Sequence, residues 1–281
     1  MLAKRIFQSL GGLTATAVGA ASAFAAPPET VVLSYDLWLG GFQPVGVEAR
    51  LHSKDDAYEI DFEAKTEGFT GWIYPYAMTG RADGKINGGK LLPGRYRTVS
   101  ESGSKRKETA FIYQANGLID VTRKPGDSDG GDSDDDAPKA RDISKGAMDP
   151  AAALFSIAEN VARAEACRGR VPVFDGKRRY DLTLRDRGET TLKRTRYGIY
   201  SGPAMHCQAA VRKLAGFKKK KKLSGRLPPV IDIWLAKVTD AGPTVPVRLQ
   251  GDSSLGQVII HLVDARIEPG GARAFSGHQS E

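Results

Sequence analysis

Cysteine and histidine are scarce in this chain of 281 residues, which contains two Cys and four His. The histidines stand far apart, at positions 52, 206, 261 and 278, and none belongs to a His-Glu-x-x-His zinc motif. The two cysteines form neither a Cys-x-x-Cys redox pair nor part of a zinc-finger pattern. We therefore assign no catalytic residue, no metal ligand and no cofactor, and we expect a protein that is not an enzyme.

Long apolar runs are missing after the N-terminal segment, and that segment has the pattern of an export signal. Lys4 and Arg5 precede an apolar run from Leu10 to Ala21, which ends in Ala23-Phe24-Ala25. This order predicts a signal peptide over residues 1–25, cleaved near Ala25, and the short run disfavours an uncleaved anchor. No later stretch approaches the roughly 18 apolar residues that span a bilayer. We expect a periplasmic protein whose mature chain has no transmembrane segment.

Export bears on the two cysteines, Cys167 and Cys207. An even number of cysteines in an oxidising compartment favours one disulfide. Closing a loop of about 40 residues would stabilise the fold by roughly 4 kcal/mol in the chain-entropy model. Two reduced and buried thiols are the alternative.

Alternating apolar and polar residues predict strands through most of the chain. The cleanest example runs from Tyr58 to Lys65, where every second residue is apolar. Turn residues recur about every ten positions up to Lys124, and further strand patterns follow Arg170, one of them from Leu192 to Tyr200. The count reaches about thirteen or fourteen strands.

One helix interrupts this pattern. Asp149 is placed to cap it, Pro150 suits its first turn, and apolar residues continue at helical spacing to about Glu165. No alternation of parallel strands with helices is visible. The fold class is therefore mainly β: a large curved antiparallel sheet or partly open β-barrel with one helix packed against it.

We predict a single domain over residues 26–270. It contains two charged loops and is followed by a tail. The acidic loop at 125–146 fails the EF-hand pattern, because the sixth residue from Asp132 is Ala137 and the twelfth is Ile143. We interpret it as a solvated loop, with weak calcium binding left open. The basic loop covers 217–226, and residues 271–281 are predicted to be a disordered tail.

The basic loop contains a predicted basic patch, formed by Lys218, Lys219, Lys220, Lys221, Lys222 and Arg226. A solvated connection between strands is the simplest interpretation, because like charges repel. Contact with a lipid, a glycolipid, an anionic envelope polymer or the protein's own acidic loop is the functional alternative. Nucleic acid is not expected, because export removes that partner and no aromatic residues alternate with the lysines.

An aromatic segment bounded by glycines contains Trp72, Tyr74 and Tyr76. Aromatic residues dominate β cores, so core packing with a bulge is one interpretation. The rim of an apolar pocket is the other, with Trp72 and Tyr74 stacking on a sugar or an acyl chain. The sequence does not separate the two.

Several short segments, spread over most of the mature chain, together form a pattern. They are Tyr35-Asp36-Leu37-Trp38-Leu39-Gly40-Gly41, Gly46, the strand ending at Thr66 with Gly68, Pro93, Tyr96, Met148-Asp149-Pro150, Val173-Phe174-Asp175-Gly176-Lys177-Arg178-Arg179-Tyr180, Cys207, Ile233-Trp234-Leu235-Ala236 and Val245-Pro246-Val247-Arg248. Together they resemble bacterial domain-of-unknown-function family 3108. The run from Phe174 to Tyr180 is the most specific. The resemblance implies a β-rich, partly closed barrel of the cell envelope, comparable in shape to periplasmic lipoprotein carriers, and brings no activity.

Three functions compete on this evidence. The first is binding of an apolar or amphipathic envelope component, or maintenance of the envelope. The second is a structural or interaction module with a filled core and a basic loop that contacts a partner. The third and least favoured is a hydrolase that acts on wall or lipid substrates. A large apolar cavity would favour the first function and a filled interior the second.

Overall fold

The computed structural model describes residues 29–54, 56–124, 143–164, 166–217, 227–238, 242–253 and 256–269. They form one antiparallel sheet of 13 strands, which confirms the predicted fold class. The predicted signal peptide, the basic patch, the C-terminal tail and most of the acidic loop lie outside the described residues.

The strands pair in the order β7-β6-β5-β4-β3-β2-β1-β13-β12-β11-β10-β9-β8, so strands that are neighbours in the sheet are also neighbours along the chain, except where β1 meets β13. Their bounds are β1 (Glu29–Leu39), β2 (Phe42–Lys54), β3 (Ala57–Thr66), β4 (Tyr76–Asn87), β5 (Lys90–Ser102), β6 (Lys105–Tyr113), β7 (Ile119–Lys124), β8 (Gly169–Phe174), β9 (Arg179–Leu192), β10 (Gly202–Ala215), β11 (Val230–Lys237), β12 (Thr244–Ser253) and β13 (Gly256–Pro269). The β1–β13 pair joins the two halves of the chain into one sheet.

Two helices lie fully within the described residues: α1 (Gly68–Ile73) and α2 (Pro150–Ala164). The second confirms the predicted helix, and Asp149 caps it, because its Oδ1 accepts a hydrogen bond from the backbone N–H of Ala152 at 2.8 Å. The first was not predicted, since six residues are too few to show helical periodicity.

One predicted strand is wrong. β9 ends at Leu192, and the residues up to Tyr200 form turns with an isolated bridge. The apolar residues of this segment pack against strands that come from elsewhere in the chain. The ring of Tyr197 lies 4.5 Å from that of Trp38, and the Ile199 N–H donates to a β13 carbonyl at 3.0 Å.

The curled sheet does not close, because edge strands β7 and β8 are not paired with each other over their described lengths. The chain before α2 bridges the seam between them. Met148 pairs with β8, and the Gly146 N–H donates to the carbonyl of Gly117 beside β7 at 2.9 Å. Phe111 of β6 and Phe174 of β8 also stack across the seam, with ring centroids 5.4 Å apart. The result is a partly open barrel.

The turn between β8 and β9 contains the most specific part of the family resemblance. Asp175 Oδ1 accepts the N–H groups of Lys177 and Arg178 at 3.1 and 2.7 Å, and its Oδ2 accepts Arg178 Nε at 2.6 Å. Gly176 has a φ of 95°, and a Cβ there would lie 2.6 Å from Thr109 Cγ2 of β6. The turn therefore lies directly against β6, and Asp175 shapes the turn.

The helix α2 crosses the interior, where it packs against β4, β5, β8 and β12. Its residues Ala153, Ile157 and Val161 belong to an apolar cluster with β8 to β11. The predicted disulfide between Cys167 and Cys207 is present and buried in this cluster, with Cα atoms 5.5 Å apart. We call this cluster, with its disulfide, the filled side of the interior.

Candidate functional site

The strand ends define two ends of the curled sheet, because every neighbouring pair is antiparallel. One end, which we call the mouth end, carries the turns at 40–41, 103–104 and 175–178 together with α1. The opposite end carries the hairpin at 88–89 and the loop at 114–118. At this opposite end the Arg163 guanidinium of α2 lies where a Cβ on Gly89 would stand, so the helix packs directly on the hairpin.

A cavity of about 1680 Å³ lies between α2 and the concave face of the sheet. Its walls are mostly apolar and come from β1 to β5, β12, β13 and α2. The first three strands contribute Leu33, Tyr35, Val47, Leu51, Ile60 and Phe62. The volume exceeds the roughly 300–1,000 Å³ of ordinary small-molecule pockets. We call this part of the interior the open side.

The sequence pattern explains why this wall is apolar. On β2 the lining residues are Val47, Ala49 and Leu51, which stand two positions apart and so share one face. Glu48 and Arg50 alternate with them and form a 3.1 Å salt bridge on the other face. Strict alternation therefore gives this strand an apolar concave face and a charged convex face.

Cationic side chains line the cavity at its mouth end. They are Lys107 of β6, Lys213 of β10, and Lys177 and Arg178 of the turn at 175–178. The Lys213 ammonium lies 5.5 Å from the ring centroid of Phe217, which also lines the cavity. Asp175 is the carboxylate among the described lining residues, and it is paired with Arg178. The mouth therefore carries net positive charge above an apolar wall.

A buried carboxyl group ties α2 to β6 beside this cavity. The Tyr113 hydroxyl donates to Asp149 Oδ2 at 3.1 Å and accepts the Asp149 N–H at 2.7 Å. Burial raises the pKa of Asp149 to about 6, although the hydrogen bonds from Ala152 and Tyr113 act in the opposite direction. The pKa of Tyr113 is raised as well, mainly because the hydroxyl is buried and in addition because it lies beside the charge of Asp149.

The predicted aromatic binding residues lie at the mouth end, outside the described lining of the cavity. Trp72 is 80% exposed on α1, and Tyr74 is 69% exposed just after it. Tyr76 begins β4, and its hydroxyl contacts the sulfur of Met78 at 3.6 Å. Met78 itself lines the cavity. A role for these tyrosines and this tryptophan in ligand binding stays a prediction.

Lys177 and Arg178 of the mouth belong to the run that carries the family resemblance, whereas Lys107 and Lys213 were not singled out in the sequence. Lys107 and Lys213 occupy inward positions of β6 and β10, in step with inward apolar residues, and that parity was the available signal. Lys213 stands two residues after Val211, which packs against the filled side. The predicted basic patch lies outside the described residues and follows Phe217, which lines the cavity.

Within the ranges that the structure describes, no three His, Cys, Asp or Glu side chains come together in a group that could hold a metal ion. No helix in those ranges is long and apolar enough to cross a membrane. The acidic residues for which calcium binding was left open fall between 125 and 142, outside them. The cavity is therefore the feature on which a function can be argued.

The chain matches the family model described as Protein of unknown function (DUF3108) over residues 35–263. None of the curated proteins matches it. Among solved structures it is similar to a β-barrel-like protein of domain of unknown function DUF1849 from Brucella abortus, with 11% identity over 86% of this chain and 98% of that one and a TM-score of 0.44. The hypothetical protein CT021 from Chlamydia trachomatis shares 9% identity over 91% and 93% of the two chains, with a TM-score of 0.29. The family match includes α2 and both cysteines, and the chain belongs to family DUF3108.

Proposed function

We propose that this protein binds an anionic, amphipathic envelope component, such as a lipid with acyl chains, inside its cavity in the periplasm. The observation that carries the proposal is the cavity of about 1680 Å³ with an apolar wall and lysines at one end. Transfer of apolar chains from water to such a wall is favourable by about 25 cal/mol per Å² of buried apolar surface.

The charge distribution supports an anionic head group. Lys107 and Lys213 project from strands whose other inward residues are largely uncharged, so an amphiphile would meet cations only at the mouth end. A charge-assisted hydrogen bond to phosphate or carboxylate is stronger next to a low-dielectric interior than in water. The open volume also favours ligand binding over a structural module with a filled core.

The test is calorimetric titration with lysophosphatidylglycerol, a single-chain anionic phospholipid. The variant Ala49→Trp/Ala151→Trp adds two indole rings to the cavity wall, one on β2 and one on α2. We expect its affinity to fall at least about tenfold, because the rings occupy volume that the chain would fill. Ala110→Trp on β6 is the matched control, since Ala110 alternates with inward Phe111 and does not line the described cavity. Equal affinity in the filled variant and the wild type would refute the proposal.

A second titration separates head-group recognition from chain burial. Lys213→Glu reverses one charge at the mouth, and Lys90→Glu makes the same change on an exposed residue at the opposite end of the sheet. We expect only Lys213→Glu to weaken binding of lysophosphatidylglycerol, by about tenfold, and to leave zwitterionic lysophosphatidylcholine nearly unaffected. Equal losses for both lipids would contradict the assignment of the mouth lysines to the head group.

A further inference from the structure

An exposed apolar surface lies beside the cavity, at the same end of the sheet as the lysines. In α1 no residue is buried: Phe69 is 68% exposed and Ile73 is 57% exposed, in addition to Trp72 and Tyr74. Phe42 adds to this surface, because it is 55% exposed at the start of β2, the strand that pairs with the one leading into α1. Several exposed apolar side chains grouped at one end of a domain mark a surface that contacts something apolar.

The position of α1 is fixed by backbone contacts. The Glu67 N–H donates to the carbonyl of Pro44 at 3.2 Å, which joins the start of α1 to β2. Thr66 Oγ1 accepts the Tyr76 N–H at 3.0 Å and donates to the Tyr74 carbonyl at 2.9 Å, so the two ends of the connection are pinned together. The aromatic side chains are therefore held outward by a rigid connection rather than by a loose loop.

Lysines lie at the same end of the sheet as this apolar surface. Among the described residues, the exposed ones at this end include Lys65, Lys105, Lys107 and Lys213. Two carboxylates at this end already have partners: Glu67 lies over Gly46 and accepts a hydrogen bond from Gln43 at 3.5 Å, and Glu101 pairs with Arg106. Aromatic residues flanked by lysines are the composition that favours the interface of an anionic bilayer.

We infer that the mouth end docks on the surface of an anionic phospholipid bilayer, with α1 inserted among the head groups. Docking in this orientation turns the cavity mouth toward the membrane, which is the arrangement needed to exchange a lipid between the two. Docking depends on α1 and the lysines at the same end, whereas its use for lipid exchange rests on the proposed function of the cavity. Each lysine near such a surface contributes about fivefold to partitioning, and the contribution falls with salt.

The test is co-sedimentation of the purified protein with vesicles of phosphatidylethanolamine and phosphatidylglycerol, compared with vesicles of phosphatidylcholine. We expect binding to the anionic vesicles that weakens at high salt. Phe69→Ser/Trp72→Ser should lower the bound fraction at least about tenfold, because two apolar rings no longer enter the interface. Leu92→Ser/Ile112→Ser is the matched control, since both residues are exposed and apolar on β5 and β6 toward the opposite end. That control should bind like the wild type.

Fluorescence identifies which residue enters the bilayer. The chain has three tryptophans, and Trp72 is the exposed one, whereas Trp38 and Trp234 are partly buried in ring contacts. A blue shift on addition of anionic vesicles that disappears in Trp72→Phe, while co-sedimentation persists, supports insertion of α1. No loss of vesicle binding in Phe69→Ser/Trp72→Ser would overturn the inference, and so would a wild-type dimer that the same substitutions dissociate without any vesicle binding.

The two proposals fail in different ways. If the Ala49→Trp/Ala151→Trp variant still docks on anionic vesicles, docking stands independently of ligand binding. If the wild type binds lysophosphatidylglycerol in solution but ignores vesicles, the docking inference is overturned and the proposed function stands.

Discussion

The two sides of α2 differ in how the interior is occupied. On the filled side, Ile157 packs against β8 to β11 around the disulfide between Cys167 and Cys207. On the open side, Ala151 faces a cavity of about 1680 Å³, and Leu154 lines the same cavity while it also packs against the filled-side cluster. One helix thus contributes to a packed core on one side and lines a cavity on the other, beside a second packed apolar cluster that includes Ala152 and Phe155 of the helix.

The difference in packing between the two sides explains how a domain can stay folded with a large apolar cavity. Side chains that line a cavity lose dispersion contacts, so the open side contributes less to stability than a packed core of the same composition. The net stability of a domain is only about 5–15 kcal/mol. We infer that the filled side with its disulfide and the buried cluster around Phe111 and Phe155 together supply the stability, and that the cavity between them is free to take a ligand.

The largest expected effect concerns the disulfide of the filled side. Replacing both Cys167 and Cys207 by Ser should lower the free energy of unfolding by about 4 kcal/mol, because the unfolded chain regains the entropy of an open 40-residue loop. Urea denaturation measures the loss. The affinity for lysophosphatidylglycerol should stay nearly constant wherever the variant is folded, since neither residue lines the described cavity. A strong loss of affinity in the folded variant would show that the two sides are not separable.

The next effect concerns Asp149, which ties α2 to the wall of the open side. Its pKa is raised from 3.8 to about 6 in the folded protein, so the native state holds its proton more tightly than the unfolded chain. This group therefore stabilises the fold most below about pH 4, and the stabilisation is lost as the pH rises to about 6. A shift of about two pKa units corresponds to roughly 3 kcal/mol.

Asp149→Asn keeps a helix-capping side chain but removes the titration. We expect the variant to gain stability relative to the wild type between about pH 4 and pH 7, by up to roughly 3 kcal/mol. Urea denaturation of both proteins at the two pH values measures this difference. An identical pH dependence in the two proteins would place the titration elsewhere.

The smallest effect is a difference between two truncations in one helix. Ile157→Ala should cost about 3 kcal/mol, because Ile157 is fully buried on the filled side. Leu154→Ala should cost about 1–2 kcal/mol, because Leu154 is only partly buried and packs on the filled-side cluster with one side while the other side faces the cavity. Thermal and urea unfolding of the two variants measure the difference. Equal costs would mean that the open side is packed as tightly as the filled side.

Local patterns in the sequence were sufficient to predict the fold. The alternation from Tyr58 to Lys65 became part of β3, Asp149 became the cap of α2, and the two cysteines pair. These features depend on residues close in the chain, or on one pairing forced by a count of two. The strand predicted from Leu192 to Tyr200 was wrong for the opposite reason, because its apolar residues contact strands that are distant in the chain.

The candidate site was harder to predict than the fold. A cavity depends on whether side chains from many strands meet in the interior, and no single segment carries that information. Lys107 and Lys213 come from strands near opposite edges of the sheet. They line the same cavity only because the sheet curls. The exposure of Trp72 likewise depends on α1, whose six residues gave no helical signal.

Native mass spectrometry of the protein, purified without detergent from cells that export it, tests the central claim most directly. We predict that the wild type retains an added mass of an anionic lipid, that Ala110→Trp retains it as well, and that Ala49→Trp/Ala151→Trp loses it. Wild-type protein of bare polypeptide mass, showing no mass gain after incubation with phosphatidylglycerol, would contradict the account.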